Sequence, residues 1–142
     1  YNSLVGQDEA VSTQWAQVQN AYERRADPIP NLVATLKGYA THEQETLTQV
    51  TEARAKATQA TVSVSPDDLT PENIQRVQQA QGELSQALGR LLMVREAYPD
   101  LKANTNFLQL QDELAGTENR IATERNKFNE VAKEYKTSIR RL

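Results

Sequence analysis

Apolar positions recur in alternating steps of three and four along two long stretches of the chain. One runs Ile74, Val77, Gln81, Leu84, Leu88, Leu91, Arg95, Tyr98. The other runs Phe107, Gln111, Leu114, Glu118, Ile121, Arg125, Phe128, Ala132, Tyr135, Ile139, Leu142. A repeat near 3.5 predicts helices packed nearly lengthwise on one another. A first seam passes through Leu4, Val11, Trp15, Val18 and Tyr22, and a second stripe through Ile29, Leu32, Val33, Leu36, Ala40, Leu47, Val50 and Ala57. Polar residues stand in these seams where leucine would pack best.

Breakers and caps divide the pattern. Asp27-Pro28-Ile29-Pro30 predicts a tight corner, because Pro28 lacks an N–H and disfavours the α region at Asp27. Thr70-Pro71-Glu72 reads as a helix start with a hydroxyl cap, proline in the first turn and an acid beside it. Tyr98-Pro99 predicts a second corner, and Asn104 is placed to cap the last helix. Predicted helices therefore cover about 3–26, 30–60, 70–97 and 104–142, with Val62-Ser63-Val64-Ser65 in an extended loop. The expected fold is all-α, an antiparallel up-and-down four-helix bundle formed by a single domain over residues 1–142.

Composition narrows the picture. Aromatics are few and the apolar share is modest at 38%, which suits slender helices with a narrow seam. A net charge of −3 with interspersed signs gives no basis for nucleic-acid binding. The absence of cysteine excludes disulfides and thiolate chemistry. Bundles that hold di-iron centres use Glu-x-x-His pairs, but the one histidine here, His42, follows Tyr39 by three residues. A closed zinc site is equally out of reach, and no Gly-x-Ser-x-Gly elbow or phosphate loop occurs. We expect no catalytic, metal or cofactor-binding residues: this chain does not read as an enzyme. His42 is expected mid-helix, facing solvent or a helix interface, and Gly82 and Gly89 are expected to permit close helix approach.

Two surface regions and one interior feature remain. If both proline corners lie at one end, they gather Arg24, Arg25, Asp27 and Asn31 with Tyr98, Asp100, Lys102, Asn104 and Asn106 as a candidate partner-binding tip. The opposite end carries Lys133, Lys136, Arg140 and Arg141, a candidate basic, membrane-proximal surface. Inside, Glu43, Arg54, Arg95, Glu118 and Arg125 fall at seam phases. Their expected arrangement is stems packed and heads in water, since buried pairs seldom repay desolvation.

Three segments resemble the bacterial LemA family: Arg24-Arg25-Ala26-Asp27-Pro28-Ile29-Pro30-Asn31-Leu32-Val33, Val50-Thr51-Glu52-Ala53-Arg54-Ala55-Lys56, and Glu96-Ala97-Tyr98-Pro99-Asp100-Leu101-Lys102-Ala103-Asn104 continuing through Asn106-Phe107-Leu108-Gln109-Leu110-Gln111. Shorter matches are Tyr1-Asn2-Ser3-Leu4, Gly38-Tyr39-Ala40 and Gly116-Thr117-Glu118-Asn119-Arg120-Ile121-Ala122. Pro28 departs from the pattern, where leucine or valine is more usual. The resemblance implies a four-helix bundle held at a bacterial membrane, on the periplasmic or extracytoplasmic face, by an N-terminal transmembrane or lipid anchor ahead of Tyr1. It implies no reaction. The expected function is a non-enzymatic envelope scaffold or adaptor that binds an unknown protein partner or further copies of itself. The alternatives are a membrane-shaping bundle, suggested by the family's likeness to magnetosome-membrane proteins, and a hydrolase or small-ligand-binding bundle that uses the polar seam.

Overall fold

The computed structural model describes the backbone of residues 2–40, 42–67 and 69–140, and side chains within 8–136 apart from positions 41 and 68. Helix α1 spans Asn2–Ala26, α2 Ile29–Lys37, α3 Gln44–Val62 and α4 Pro71–Met93. A 3₁₀ turn, Val94–Ala97, and a short helix α5, Pro99–Lys102, then lead into α6, Thr105–Arg140. No strand occurs among the described residues. The long helices pack antiparallel, with α1 against α6 and α3 against α4 as the two intimate pairs.

The first reversal is not where the prolines predict it. Trp15 meets Phe128, Arg25 meets Glu118, Thr35 meets Asn106 and Tyr39 meets Asn104. Numbers rise on one side of these pairs as they fall on the other, so α1 and α2 run in one direction along α6. Asp27-Pro28 is therefore a kink within one arm. Pro28 itself keeps helical angles, φ −80 and ψ −8, and its carbonyl accepts from the Leu32 N–H. Pro30 has no N–H to give the Ala26 carbonyl four residues back. The Arg54 Nε donates to that carbonyl instead, at 2.8 Å, so the kink is satisfied from the neighbouring helix.

The chain turns back at Gly38–Glu43, inside the segment expected to be a continuous helix from 30 to 60. The Gly38, Tyr39 and Ala40 N–H groups all fold back onto Thr35 or Leu36 carbonyls, which closes α2. His42 consequently lies exposed in a turn rather than mid-helix. The predicted caps are present: the Asn73 N–H donates to Thr70 Oγ1 at 3.1 Å and the Phe107 N–H to Asn104 Oδ1 at 2.9 Å. Gly82 and Gly89 do not mark close approach, because a Cβ at either position would meet nothing within 4 Å.

Two apolar cores fill the bundle. Trp15, Val18, Tyr22, Val64, Val77, Ile121 and Phe128 form one, toward the chain termini. Ile29, Leu32, Leu36, Leu47, Val50, Leu84, Leu91, Leu101, Phe107 and Leu114 form the other, toward the reversals. Between them the seam positions are polar.

Candidate functional site

Arg25 lies between Tyr22 and Ile29 in the α1 seam, Gln81 between Val77 and Leu84, and Glu118 between Leu114 and Ile121. Helical spacing thus aims all three into one layer of the bundle. Arg25 is 1% exposed. One of its terminal nitrogens donates to Ser85 Oγ at 2.5 Å and to Glu118 Oε1 at 2.6 Å. The other donates to the Gln81 carbonyl at 2.9 Å and to Gln81 Oε1 at 2.6 Å. Gln81 Nε2 in turn donates to Thr61 Oγ1 at 2.9 Å, and the Thr61 hydroxyl donates to the Ala57 carbonyl at 2.9 Å. The layer therefore ties α1, α3, α4 and α6 together.

The layer leaves some donors unused. The Arg25 Nε, the Tyr22 hydroxyl and the Arg125 Nε are closed to solvent and have no hydrogen-bond partner. The Arg25 guanidinium lies 5.8 Å from the centre of the Tyr22 ring. Burial pushes the Tyr22 hydroxyl above its ordinary pKa of 10.0, against the pull of Arg125 and Arg25. Desolvation wins because the neutral phenol loses less on burial than the phenolate.

Cavities flank the layer where the two helix pairs part. A groove of about 470 Å³ between α1 and α3 is lined by Gln19, Tyr22, Arg54, Thr58, Thr61 and Gln81 among others. Its floor is held by Gln19 Nε2, which donates to the Val64 carbonyl at 2.8 Å. A smaller cavity of about 100 Å³ lies between α1, α4 and α6 and is lined by Tyr22, Arg25, Gly82, Ser85, Glu118 and Arg125. No group of three or more His, Cys, Asp or Glu side chains able to hold a metal converges among the described residues.

The residues expected at one tip are separated. Arg25 is inside the bundle, and Arg24 and Asp27 are exposed part-way along its length, because the first arm continues past Pro28. Asn31 is exposed on α2. Tyr98, Asp100, Lys102, Asn104 and Asn106 do lie at the end, but their neighbours there come from Thr35 and Tyr39. Asn104 Nδ2 donates to the Tyr39 hydroxyl at 2.8 Å and Asn106 Nδ2 to Thr35 Oγ1 at 2.8 Å. Lys102 Nζ donates to Glu96 Oε2 at 2.8 Å, and that bond holds the Glu96 carboxyl below its ordinary range. At the other end Lys133 and Lys136 are exposed, while Arg141 and the Arg140 side chain lie outside the described residues.

Of the seam charges, Arg54 and Arg95 are partly exposed at the margin, but their heads bond protein acceptors rather than standing in water: Arg54 the Ala26 carbonyl and Arg95 the Gln111 Oε1, each at 2.8 Å. Glu124 was not among the expected seam residues. It is buried and accepts from Gln14 Nε2 at 2.7 Å, with Arg120 Nε at 3.3 Å.

The LemA family model matches residues 14–142, which include the second half of α1, every later helix and the whole polar layer. The chain belongs to the LemA family. A relative of this LemA-family bundle, the Protein LemA of Metamycoplasma hominis, is 28% identical over 139 residues, covering 97% of this chain and 58% of that protein. The Magnetosome protein MamQ of Magnetospirillum gryphiswaldense is 35% identical over 60 residues, covering 42% of this chain and 22% of that protein. The chain thus spans less than two thirds of either relative. No described helix is long and apolar enough to cross a membrane.

Proposed function

We propose that this LemA-family bundle is a non-catalytic, membrane-anchored envelope protein of bacteria that docks a protein partner through its reversal end. The carrying observation is the concentration of exposed apolar side chains there. Three of the four exposed large apolar side chains among the described residues, Tyr39, Met93 (71% exposed) and Leu108, stand near the reversals, where Asn104 bonds the Tyr39 hydroxyl; the fourth, Val62, lies toward the chain termini. Exposed apolar groups within a polar rim are the ordinary makeup of a docking patch. An anchor ahead of residue 1, on the extracytoplasmic face, would hold this patch at the far end of the bundle.

Because residues 1–142 hold no cysteine, Leu108→Cys places a defined thiol at the reversal end of the bundle for crosslinking in the full-length protein. We expect a discrete crosslinked species in cells that Tyr39→Ser abolishes, while a thiol at Glu130 gives none. Crosslinks that are absent, or equal at both positions, would refute the docking reading. Release of the full-length protein from membranes by salt alone would refute the anchor.

The groove of about 470 Å³ between α1 and α3 favours a second reading, a bundle that binds a small ligand. It has the size of a ligand site and mixed apolar and polar walls. Saturable binding of an environment-sensitive apolar dye, lost in Thr58→Trp, would support it.

A further inference from the structure

The walls of the α1–α3 groove hold opposite charges that do not meet. Glu23 and Asp27, one turn apart on α1, and Arg54 on α3 all line it. None of the three forms an ion pair among the described residues, so neither carboxylate reaches the guanidinium. Arg54 is nevertheless held in place, because its Nε donates to the Ala26 carbonyl at 2.8 Å. That bond fixes the guanidinium plane and leaves its terminal nitrogens to another acceptor. Beneath it, Gln81 and Thr61 bond each other and the Ala57 carbonyl, so the polar groups still open to a partner stand on the walls.

An apolar side completes the groove. Val64 is 2% exposed, and Gln19 Nε2 pins its carbonyl at 2.8 Å. Val62, on the same wall, is 79% exposed, the most open large apolar side chain among the described residues. An occupant with an apolar body would cover it and gain by removing that surface from water.

Charge complementarity selects the occupant. A simple cation leaves the guanidinium without a partner, and a simple anion leaves two carboxylates without one. A peptide separates its terminal charges by a residue or more. An α-amino acid carries its ammonium and carboxylate on one carbon, and so can bridge a guanidinium and carboxylates that stop short of each other. The groove, at about 470 Å³, admits such a molecule and lies within the range of about 300–1,000 Å³ usual for small-molecule sites.

We propose that the α1–α3 groove binds a free α-amino acid with an aliphatic side chain. Arg54 donates to its carboxylate, Glu23 and Asp27 accept from its ammonium, and Val62 and Val64 pack on its side chain. The proposal rests on the small-ligand reading of that groove and is independent of the docking patch. Leucine, isopentylamine (which lacks the carboxylate) and 4-methylpentanoate (which lacks the ammonium) are titrated separately into the chain by calorimetry. The expected result is saturable, one-to-one binding of leucine, with each analogue bound roughly tenfold more weakly, the worth of one hydrogen bond to a charged group. Glu23→Gln and Asp27→Asn, both at exposed positions, should each weaken leucine binding while leaving 4-methylpentanoate unaffected. A merely structural role would not produce that selective loss, and unchanged helical circular dichroism checks the fold. Equal binding of leucine and both analogues would overturn the proposal, as would carboxylate variants that bind leucine like the parent chain. Tighter binding of leucyl-leucine than of leucine would assign the groove to a peptide and overturn it too. An apolar dye that occupies the groove but is not displaced by leucine refutes the amino acid and leaves the small-ligand reading standing; failure of dye and leucine alike removes both.

Discussion

Arg25→Ala tests the central layer most directly. The residue is 1% exposed and donates to three side chains and a main-chain carbonyl. Its removal strands Gln81 Oε1, which accepts from Arg25, inside a residue only 4% exposed. An orphaned buried acceptor costs about 1–3 kcal/mol. Truncation also removes two packed methylenes, about 1.6 kcal/mol at about 0.8 per CH₂. The Glu118 contact adds little, because a carboxylate 45% exposed rehydrates and such pairs are worth about 0–1 kcal/mol. Relief of the guanidinium's desolvation offsets part of this, leaving a net loss of about 3 kcal/mol.

Urea unfolding followed by far-UV circular dichroism measures that loss at constant m-value. The paired variant Arg25→Met/Gln81→Leu removes both partners and restores apolar filling. Thr61 keeps its own acceptor, the Ala57 carbonyl, so no hydroxyl is stranded. Its stability should return to within about 1 kcal/mol of the parent or exceed it, as replacement of buried polar pairs by apolar groups commonly does. Arg25→Ala within about 0.5 kcal/mol of the parent would place the side chain in solvent and refute the layer. Additive losses in the pair would refute the coupling of Arg25 to Gln81.

Arg54→Met should cost about 1–3 kcal/mol in the same assay, because the Ala26 carbonyl at the proline kink loses the donor that replaces the missing Pro30 N–H. Trp15→Ala should cost about 3–5 kcal/mol, since the indole is fully buried with Phe128 at 5.0 Å between ring centres; a neutral effect would mean a wrong phase for α1. Raising pH through 10 should destabilise the parent chain, because the unfolded tyrosine ionises near 10.0 while folded Tyr22, held higher by burial, keeps its proton. Stability is then lost progressively as pH rises toward the folded pKa, and Tyr22→Phe should flatten that alkaline limb; equal limbs would show that Tyr22 titrates normally.

The periodicity carried the fold class and the burial of Trp15 and Phe128, and the short connections between helices carried the antiparallel arrangement. It also held the answer to the one misplaced reversal. The steps Val11, Trp15, Val18, Tyr22, Arg25, Ile29, Leu32, Leu36 continue in alternating fours and threes straight through Pro28. A corner would have broken that phase, and a kink need not. Local chemistry points to a turn at Asp27-Pro28, but the apolar faces on both sides bury against the same helix, and burial prevailed. The true reversal at Gly38–Glu43 had a weak signal, a lone glycine followed by residues that also suit helices. Residue type alone places Arg25 at the surface, because arginine is seldom buried without a partner. Its acceptors, Gln81, Ser85 and Glu118, are 56 to 93 residues away in sequence. No spacing rule within one helix could have brought them together.

The position of the polar layer between two apolar cores has a consequence for register. A slip of α4 by one heptad would bring Ile74 or Leu88 to the level of Gln81. Neither can accept from Arg25, and an unpaired buried guanidinium costs several kcal/mol. The apolar cores alone discriminate weakly, because leucine, valine and isoleucine replace one another in a seam at small cost. Arg25 therefore converts a tolerant 3.5-residue repeat into one with a single low-energy alignment, as polar residues at core positions of coiled coils do. One side chain thus fixes the alignment of four helices, directly through Ser85, Gln81 and Glu118 and through Gln81 to Thr61 on α3.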